Sequence, residues 1–415
     1  MEQNDGGLPL PLEGIRVLDA THIVAGPFCS LILADMGAEV IKIERPKTGE
    51  LNRSRGDFIQ SGDGRSISAR FLGLNRNKKS VTLDLRNPTC KKAFENMVSA
   101  SDVLVDNWGP GALERLGLGY GRLHEIYAGL IYATITGYGD NEGLQGPYSS
   151  WPANNLCVQG MGGWMALTGT GNGTGGGPAQ SVGENVGDSV PGLWSALAIV
   201  LALETRRKTG IGQHVDMAMY ECMAAHTLSN MAAYQATGFD GPPSPESAIG
   251  AGLVLRAQDG QVVLAGARPE RSWEAMWRML GREDLLHDPR YVGKGATPGF
   301  YHSQIVPAIE QWSKDLSRME VCRRLTEAGF SMGMVQTMAD LDRCPHMEAR
   351  KMFVDAGDTF GGSFRSMKTP IRLTGCVEMP SKTPPPLGAD SEDVLSDIGG
   401  LTKDQVEQLR EEGAV

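Results

Sequence analysis

The chain has 415 residues, 41% hydrophobic and 21% charged, the balance of a folded protein rather than a disordered one. Its net charge of −10 excludes a chain-wide basic field for nucleic acid, and no apolar run approaches the ~18 residues of a transmembrane helix. Glycine is in excess, 54 of 415 residues against roughly 7% in average usage; without a Gly-X-Y period, this points to loops that bring backbone close to a ligand.

The first stretch reads as α/β. Ile15–Leu18 is a short strand-like run. Gly26-Pro27 opens a helical stretch, Phe28–Met36, with apolar residues at helical spacing. Ala38–Glu44 alternates as a strand, Ser80–Leu85 is another, and Pro88–Ser99 reads as a helix. Val103–Val105 and Leu130–Thr136 are strand-like. Strands alternating with helices predict a mostly parallel sheet.

A glycine-rich run follows: six of the nine residues from Gly169 to Gly177 are glycine. Asp188 then precedes a strong helix, Ser189–Lys208, with Pro191 in its first turn and Arg206, Arg207 and Lys208 in its last. His214–Met219 reads as a strand and Tyr220–Thr237 as a helix. Gly238–Ser247 reads as a linker. Beyond it, Leu253–Arg256 and Gln261–Leu264 flank Asp259-Gly260, a hairpin signal. Helices are expected around Arg271–Leu280, Ser303–Ser313 and Leu316–Ala328. The tail is extended over Lys382–Leu387, then helical over Ser391–Ile398 and Lys403–Glu412.

The seven cysteines are scattered, with no C-x-x-C pair, and the seven histidines lack metal-ligand spacing. Neither a disulfide framework nor a metal site is expected. No signal-like h-region opens the chain, so a cytoplasmic protein is expected. The strand–turn–helix at the N-terminus, with Glu44 at the end of the second strand, invites a dinucleotide-binding reading. The turn HIVAGPFCS holds only Gly26, however, and Pro27 removes a backbone donor, so nicotinamide is disfavoured. No P-loop, G-x-S-x-G or H-E-x-x-H occurs.

Basic residues cluster locally: Arg76, Lys78 and Lys79 in LNRNKKS, Arg45 after the second strand, and Arg115 in GPGALERLG. They read either as solvated loop charge or as a phosphate site at strand ends. Asp188 reads either as a helix N-cap or as a nucleophilic carboxylate beside a glycine-rich loop.

Several segments in order resemble the family III CoA-transferases, whose superfamily includes formyl-CoA transferase, the carnitine and bile-acid CoA-transferases and α-methylacyl-CoA racemase. They are LEGIRVLDATHIVAGPFCSLILADMGAEVIKIERP, LNRNKKSVTLDL, DNWGPGALERLGLGY, ITGYG, GDSVPGLWSALAIVLALETRRKTGIGQHVDMAMYE and PPPLGADSEDVL. The resemblance runs from residue 12 to about 395 and is weaker over 240–335. It implies a Rossmann-like large domain, 1–238 with 336–415, and a small α+β domain, 239–335, in an interlocked ring-like dimer. It implies Asp188 as the catalytic residue. CoA contacts are implied at Val24, Ala25 and Arg45, at Leu83, Asp84, Leu85 and Arg86, at Asn107, Trp108 and Gly109, and at Arg115.

The implied reaction is CoA transfer from a donor acyl-CoA, with succinyl-CoA the donor suggested by relatives, to an acceptor carboxylic acid. It passes through aspartyl anhydride and aspartyl-CoA thioester intermediates. No permanently bound cofactor is implied; coenzyme A enters as substrate. The Gly169–Gly177 run is either a covering loop that excludes water or a surface loop. A racemase needs a histidine in the segment that here reads WPANNLCVQ, where Asn154 and Asn155 stand, and no histidine lies between His124 and His214. Asn155 replaces an acid common in the family, which alters contacts to the acceptor or to Asp188, unless it merely starts a helix. Gln159 and Trp164 fall near the expected acyl pocket, where packing explains them equally well. A homodimer is the expected assembly, with a CoA-binding subunit of a heteromer as the alternative.

Overall fold

The computed structural model describes residues 8–60, 66–141, 143–168, 179–238, 253–265, 270–286, 301–355 and 364–415. The chain divides into two compact units. The first comprises Met1–Trp164, Ser181–Ser229 and Glu348–Val415; the second comprises Met165–Gln180 and Asn230–Met347. The Gly169–Gly177 run and most of the expected linker, 239–247, lie outside the described residues.

In the first unit the elements begin with β1 (Arg16–Ala20), α1 (Ala25–Asp35) and β2 (Glu39–Glu44). A short hairpin, β3 (Phe58–Gln60) and β4 (Ser66–Ser68), leads into α2 (Ala69–Asn75) and β5 (Lys78–Thr82). Next come α3 (Pro88–Ser99), β6 (Val103–Asp106), α4 (Ala112–Arg115), α5 (Tyr120–Ile126) and β7 (Ile131–Thr136). They are followed by α6 (Asn155–Met161), α7 (Trp164–Leu167), α8 (Val186–Thr209), β8 (His214–Ala218) and α9 (Met219–Ala225).

Six strands form one sheet in the order β5-β2-β1-β6-β7-β8, every neighbouring pair parallel. The chain winds outward from β1 in one direction and then from β6 in the other, a doubly wound sheet. Such sheets bind ligands in the crevice where the winding reverses, beyond the carboxyl ends of the two central strands. Here those ends are Ala20 and Asp106.

Both faces of the sheet are covered, so its central strands β1, β6 and β7 are buried almost throughout. On one face Leu18, Ile41, Leu104 and Tyr132 pack with α3 residues and with Val394, Leu395 and Val406 of the C-terminal helices. On the other, Val17, Val40, Val105 and Ala133 meet α1 and α8 through Cys29, Leu33, Ala196 and Ile199. In length and composition α8 is apolar enough to cross a membrane, with mean hydropathy 1.6 over its most apolar window. Here it lies against α1, β7 and β8, with Pro191, Ser195, Ala196, Ile199 and Ala202 buried.

The second unit carries a three-stranded antiparallel sheet, β9 (Leu253–Ala257), β10 (Gly260–Ala265) and β11 (Ser331–Met334), in the order β11-β10-β9. The Asp259-Gly260 signal marks the β9–β10 hairpin as expected. Trp273, Trp277, Ile309, Val321 and Phe330 form its core. Several boundaries differ from the sequence reading. The expected strand Ser80–Leu85 lies earlier, at Lys78–Thr82, because its end leaves the sheet to line a cavity. The expected helix Tyr220–Thr237 is two helices, Met219–Ala225 and Leu228–Thr237.

Candidate functional site

The turn from β1 into α1 is built under strain. Ile23 sits at φ 68°, a region β-branched residues rarely occupy. Three side chains hold it there. Glu50 accepts from the Ile23 N–H at 3.2 Å, and the Asn52 amide donates to the Ile23 carbonyl. Asn107, just past β6, clamps His22 on both sides, accepting from its N–H and donating to its carbonyl at 2.9 Å. Gly26 admits no side chain, since a Cβ there would lie 2.3 Å from that of Thr21. Beneath the turn, Asp19 is fully buried between Lys42 and Lys78, at 3.6 and 2.9 Å.

At this turn lies a cavity of about 600 Å³. His22, Val24 and Ala25 line one side; Asn107, Trp108, Gly109 and Arg115 line another. Trp151, Asn154, Asn155 and Asp188 complete it. Burial, with the Lys42 and Arg45 charges, pushes the His22 imidazole down to about 4, so it is neutral at pH 7.

Asp188 is not the helix N-cap. The helix begins earlier than the sequence suggests: Asn185 is the N-cap, and Asp188 stands in the first turn. Among the described residues nothing donates to its carboxylate. Burial pushes its carboxyl up to about 6, against the opposing pull of the Arg70 charge. Asn155 fixes the start of this helix, its Oδ1 accepting from the Gly187 N–H at 2.9 Å and from Gln159 Nε2 at 2.8 Å. A Cβ at Gly187 would come within 2.4 Å of the Asn155 carbonyl oxygen, so the residue before Asp188 has to be glycine. Asn154 caps α6 by accepting from Cys157 N–H at 3.1 Å. Gln159 is fully buried behind Asn155 and accepts from Val182 N–H; it supports the cavity wall without lining it.

A second cavity, about 660 Å³, shares Trp108 and Arg115 with the first. Arg45, Leu83, Asp84, Leu85 and Arg86 line it. The residues implied as CoA contacts therefore fall into two adjoining cavities, with Asp188 in one and Arg45 in the other. Arg86 is paired with Asp84 at 2.9 Å, whereas Arg45 has no partner among the described residues. The wider basic cluster does not gather here. Arg76 is buried against Asp35 and Ser366, Lys78 against Asp19, and Lys79 pairs with Glu39. Arg76 and Lys78 brace the fold through buried pairs, while Lys79 forms a surface pair, so none of the three is left for a phosphate in the second cavity. Glu44, where a ribose-binding acid would sit, is committed to Arg53 and Ser80. The 150–153 wall carried no signal in the sequence, because it reaches the site only through folding.

Residues 12–391 match the family described as CoA-transferase family III. The chain is 30% identical over 406 residues to a succinyl-CoA–D-citramalate CoA-transferase of Chloroflexus aurantiacus, covering 97% of each chain. It is 33% identical over 399 residues to a succinyl-CoA:mesaconate CoA-transferase of Haloarcula hispanica, covering 94% of this chain and 96% of that one. Among solved structures, a CAIB/BAIF family protein from Brucella suis superimposes with a TM-score of 0.82 at 30% identity, covering 94% of this chain and 100% of the other. A match spanning both the parallel sheet and the Asp188 cavity places the chain: it belongs to the family III CoA-transferases.

Proposed function

We propose that the chain is an acyl-CoA:carboxylate CoA-transferase with succinyl-CoA as donor and Asp188 as its covalent nucleophile. The observation that carries this reading is the setting of Asp188, a carboxylate without a hydrogen-bond donor among the described residues, on the wall of a cavity at the crevice of the sheet. A carboxylate left without donors keeps its lone pairs for attack. Its oxygen attacks the thioester carbonyl, the C–S bond breaks, and CoA leaves as thiolate, giving a mixed anhydride. The thiolate then attacks the aspartyl carbonyl, releasing the donor acid and leaving aspartyl-CoA. The acceptor carboxylate reverses both steps: it displaces thiolate to form a new anhydride, whose acceptor carbonyl the thiolate takes, freeing Asp188. Each step exchanges one acyl bond for another, so no ATP is needed.

The nucleotide end of CoA fits the second cavity, where Arg45 supplies a guanidinium without a partner among the described residues and Arg115 borders both cavities. The two relatives named for succinyl-CoA support the donor. The test is single-turnover incubation with succinyl-CoA, followed by hydroxylamine trapping and mass spectrometry. An adduct on the peptide containing Asp188 is expected in the wild type and absent in Asp188→Ala. Transfer retained by Asp188→Ala overturns the mechanism. Deuterium entering the α-carbon without an acceptor acid assigns a racemase instead.

A further inference from the structure

The segment from Asn107 to Arg115 leaves β6 with a cavity on more than one side. Trp108 and Arg115 border both cavities described above, and Pro110 and Gly111 border a third, of about 640 Å³. Asp106, Glu114 and Asp140 line this third cavity, and among the described residues no lysine or arginine does, so it repels the phosphates of CoA. Leu113 and part of Trp108 reach the core. The backbone of 107–110, bordered by open space, is placed by hydrogen bonds.

Asp106 ends β6 and is 5% exposed. Its Oδ1 accepts from the Trp108 N–H at 2.8 Å, and its Oδ2 accepts from the Tyr132 hydroxyl at 3.2 Å. Asp106 pairs in register with Thr134, so Tyr132, two positions earlier in β7, lies on the same face of the sheet. Tyr132 is itself fixed, its ring stacked on those of Tyr120 and His214 at 6.2 and 5.6 Å. His214 is held in turn by the Thr134 hydroxyl at 2.9 Å. Asn107, between the two bonded residues, is the clamp on His22. Asp106 has no ion-pair partner among the described residues, and burial pushes its carboxyl up to about 7. An amide reproduces the bonding of the neutral acid, with the oxygen accepting from Trp108 and the second group donating to the Tyr132 oxygen.

We propose that Asp106 is a positioning residue for acyl-CoA, its Oδ1 anchoring the Trp108 N–H and so setting the wall that the two CoA cavities share. The proposal rests on the transferase reading above, in which CoA occupies those two cavities. Asp106 lines neither of them and acts through Trp108 and Asn107. Without its oxygen the Trp108 N–H loses its partner and the wall its fixed course. Asp188 stands on a different element, α8, so the loss falls on CoA binding rather than on the attack.

The test combines calorimetric titration with CoA itself and isotope exchange, in which ¹³C-labelled succinate enters succinyl-CoA. Asp106→Leu fills the same space without an acceptor. It is expected to weaken CoA binding about tenfold and to raise the KM for succinyl-CoA by a similar factor, with kcat within about threefold. Asp106→Asn is expected to recover CoA affinity to within about threefold of the wild type, because its Oδ1 still accepts from Trp108. An Asp106→Leu protein with wild-type CoA affinity overturns the proposal alone, whatever its kcat. So does an Asp106→Asn protein that binds CoA as weakly as Asp106→Leu, since charge rather than the acceptor then matters. If Asp106→Leu does not fold, deuterium uptake at the Trp108 amide of the wild type decides. Uptake slowed at least about tenfold relative to the unfolded chain upholds the anchor, and faster uptake overturns it. A wild type that binds no CoA overturns the transferase reading and the anchor with it.

Discussion

Ionised Asp188 is held at a cost to the fold. Burial pushes its carboxyl from 3.8 up to about 6, so the native state binds the proton more tightly than the unfolded chain does. The folded protein is thus favoured by protonation between about pH 4 and 6, and above that range the ionised group destabilises it. Asp188→Asn is therefore expected to gain about 1–3 kcal/mol at neutral pH, measured by urea denaturation, while exchange falls at least about a thousandfold. The gain should vanish below about pH 4, where the carboxyl is neutral in both states. In the wild type, kcat/KM should fall about tenfold per unit below pH ~6, because only the carboxylate attacks. A stability gain without loss of exchange would remove Asp188 from the chemistry. The same residue also shows the limit of local sequence reading. An Asp near a helix start suggests a cap, but Asn155 and Gly187 fix a helix that starts three residues earlier at its cap, Asn185.

At the level of elements, similar cations divide by where their strands and turns place them. Arg45 follows β2 into the second cavity, while Arg76, between α2 and β5, turns inward to Asp35. Arg45→Ala is expected to raise the KM for acyl-CoA about tenfold with stability changed by less than about 0.5 kcal/mol. Arg76→Ala should instead cost about 3–5 kcal/mol, because it leaves Asp35 buried without its ion-pair partner. Paired denaturation and kinetic measurements decide the assignment: an Arg76→Ala protein as stable as the wild type would show that the buried pair does not brace the fold. The two outcomes cannot be told apart in the sequence, where both residues are arginines beside a strand. The strained turn at Ile23 is equally hidden, since its clamps, Glu50, Asn52 and Asn107, come from up to 85 positions away.

For the whole molecule, α8 presents two faces of different use. Its inner face packs on the sheet, while Leu193, Trp194, Leu197, Val200 and Leu201 are exposed, Leu201 by 59%. A contiguous apolar row of this size suits an interface, and the expected homodimer predicts that a second copy covers it. Sedimentation of the wild type is expected to give twice the chain mass of 44.5 kDa, and Leu197→Glu with Leu201→Glu to shift it towards one chain. A wild-type monomer would refute this assembly. The sequence by itself determined the alternation of strands and helices, because buried parallel strands and amphipathic helices leave local periodic patterns. It also carried the family segments and Asp188 within them. Tertiary structure alone decided which cations border the cavities and which face the core, and that Gln159 stands behind the wall. Those outcomes depend on contacts between residues far apart in the chain, and a reading confined to neighbouring positions cannot register them.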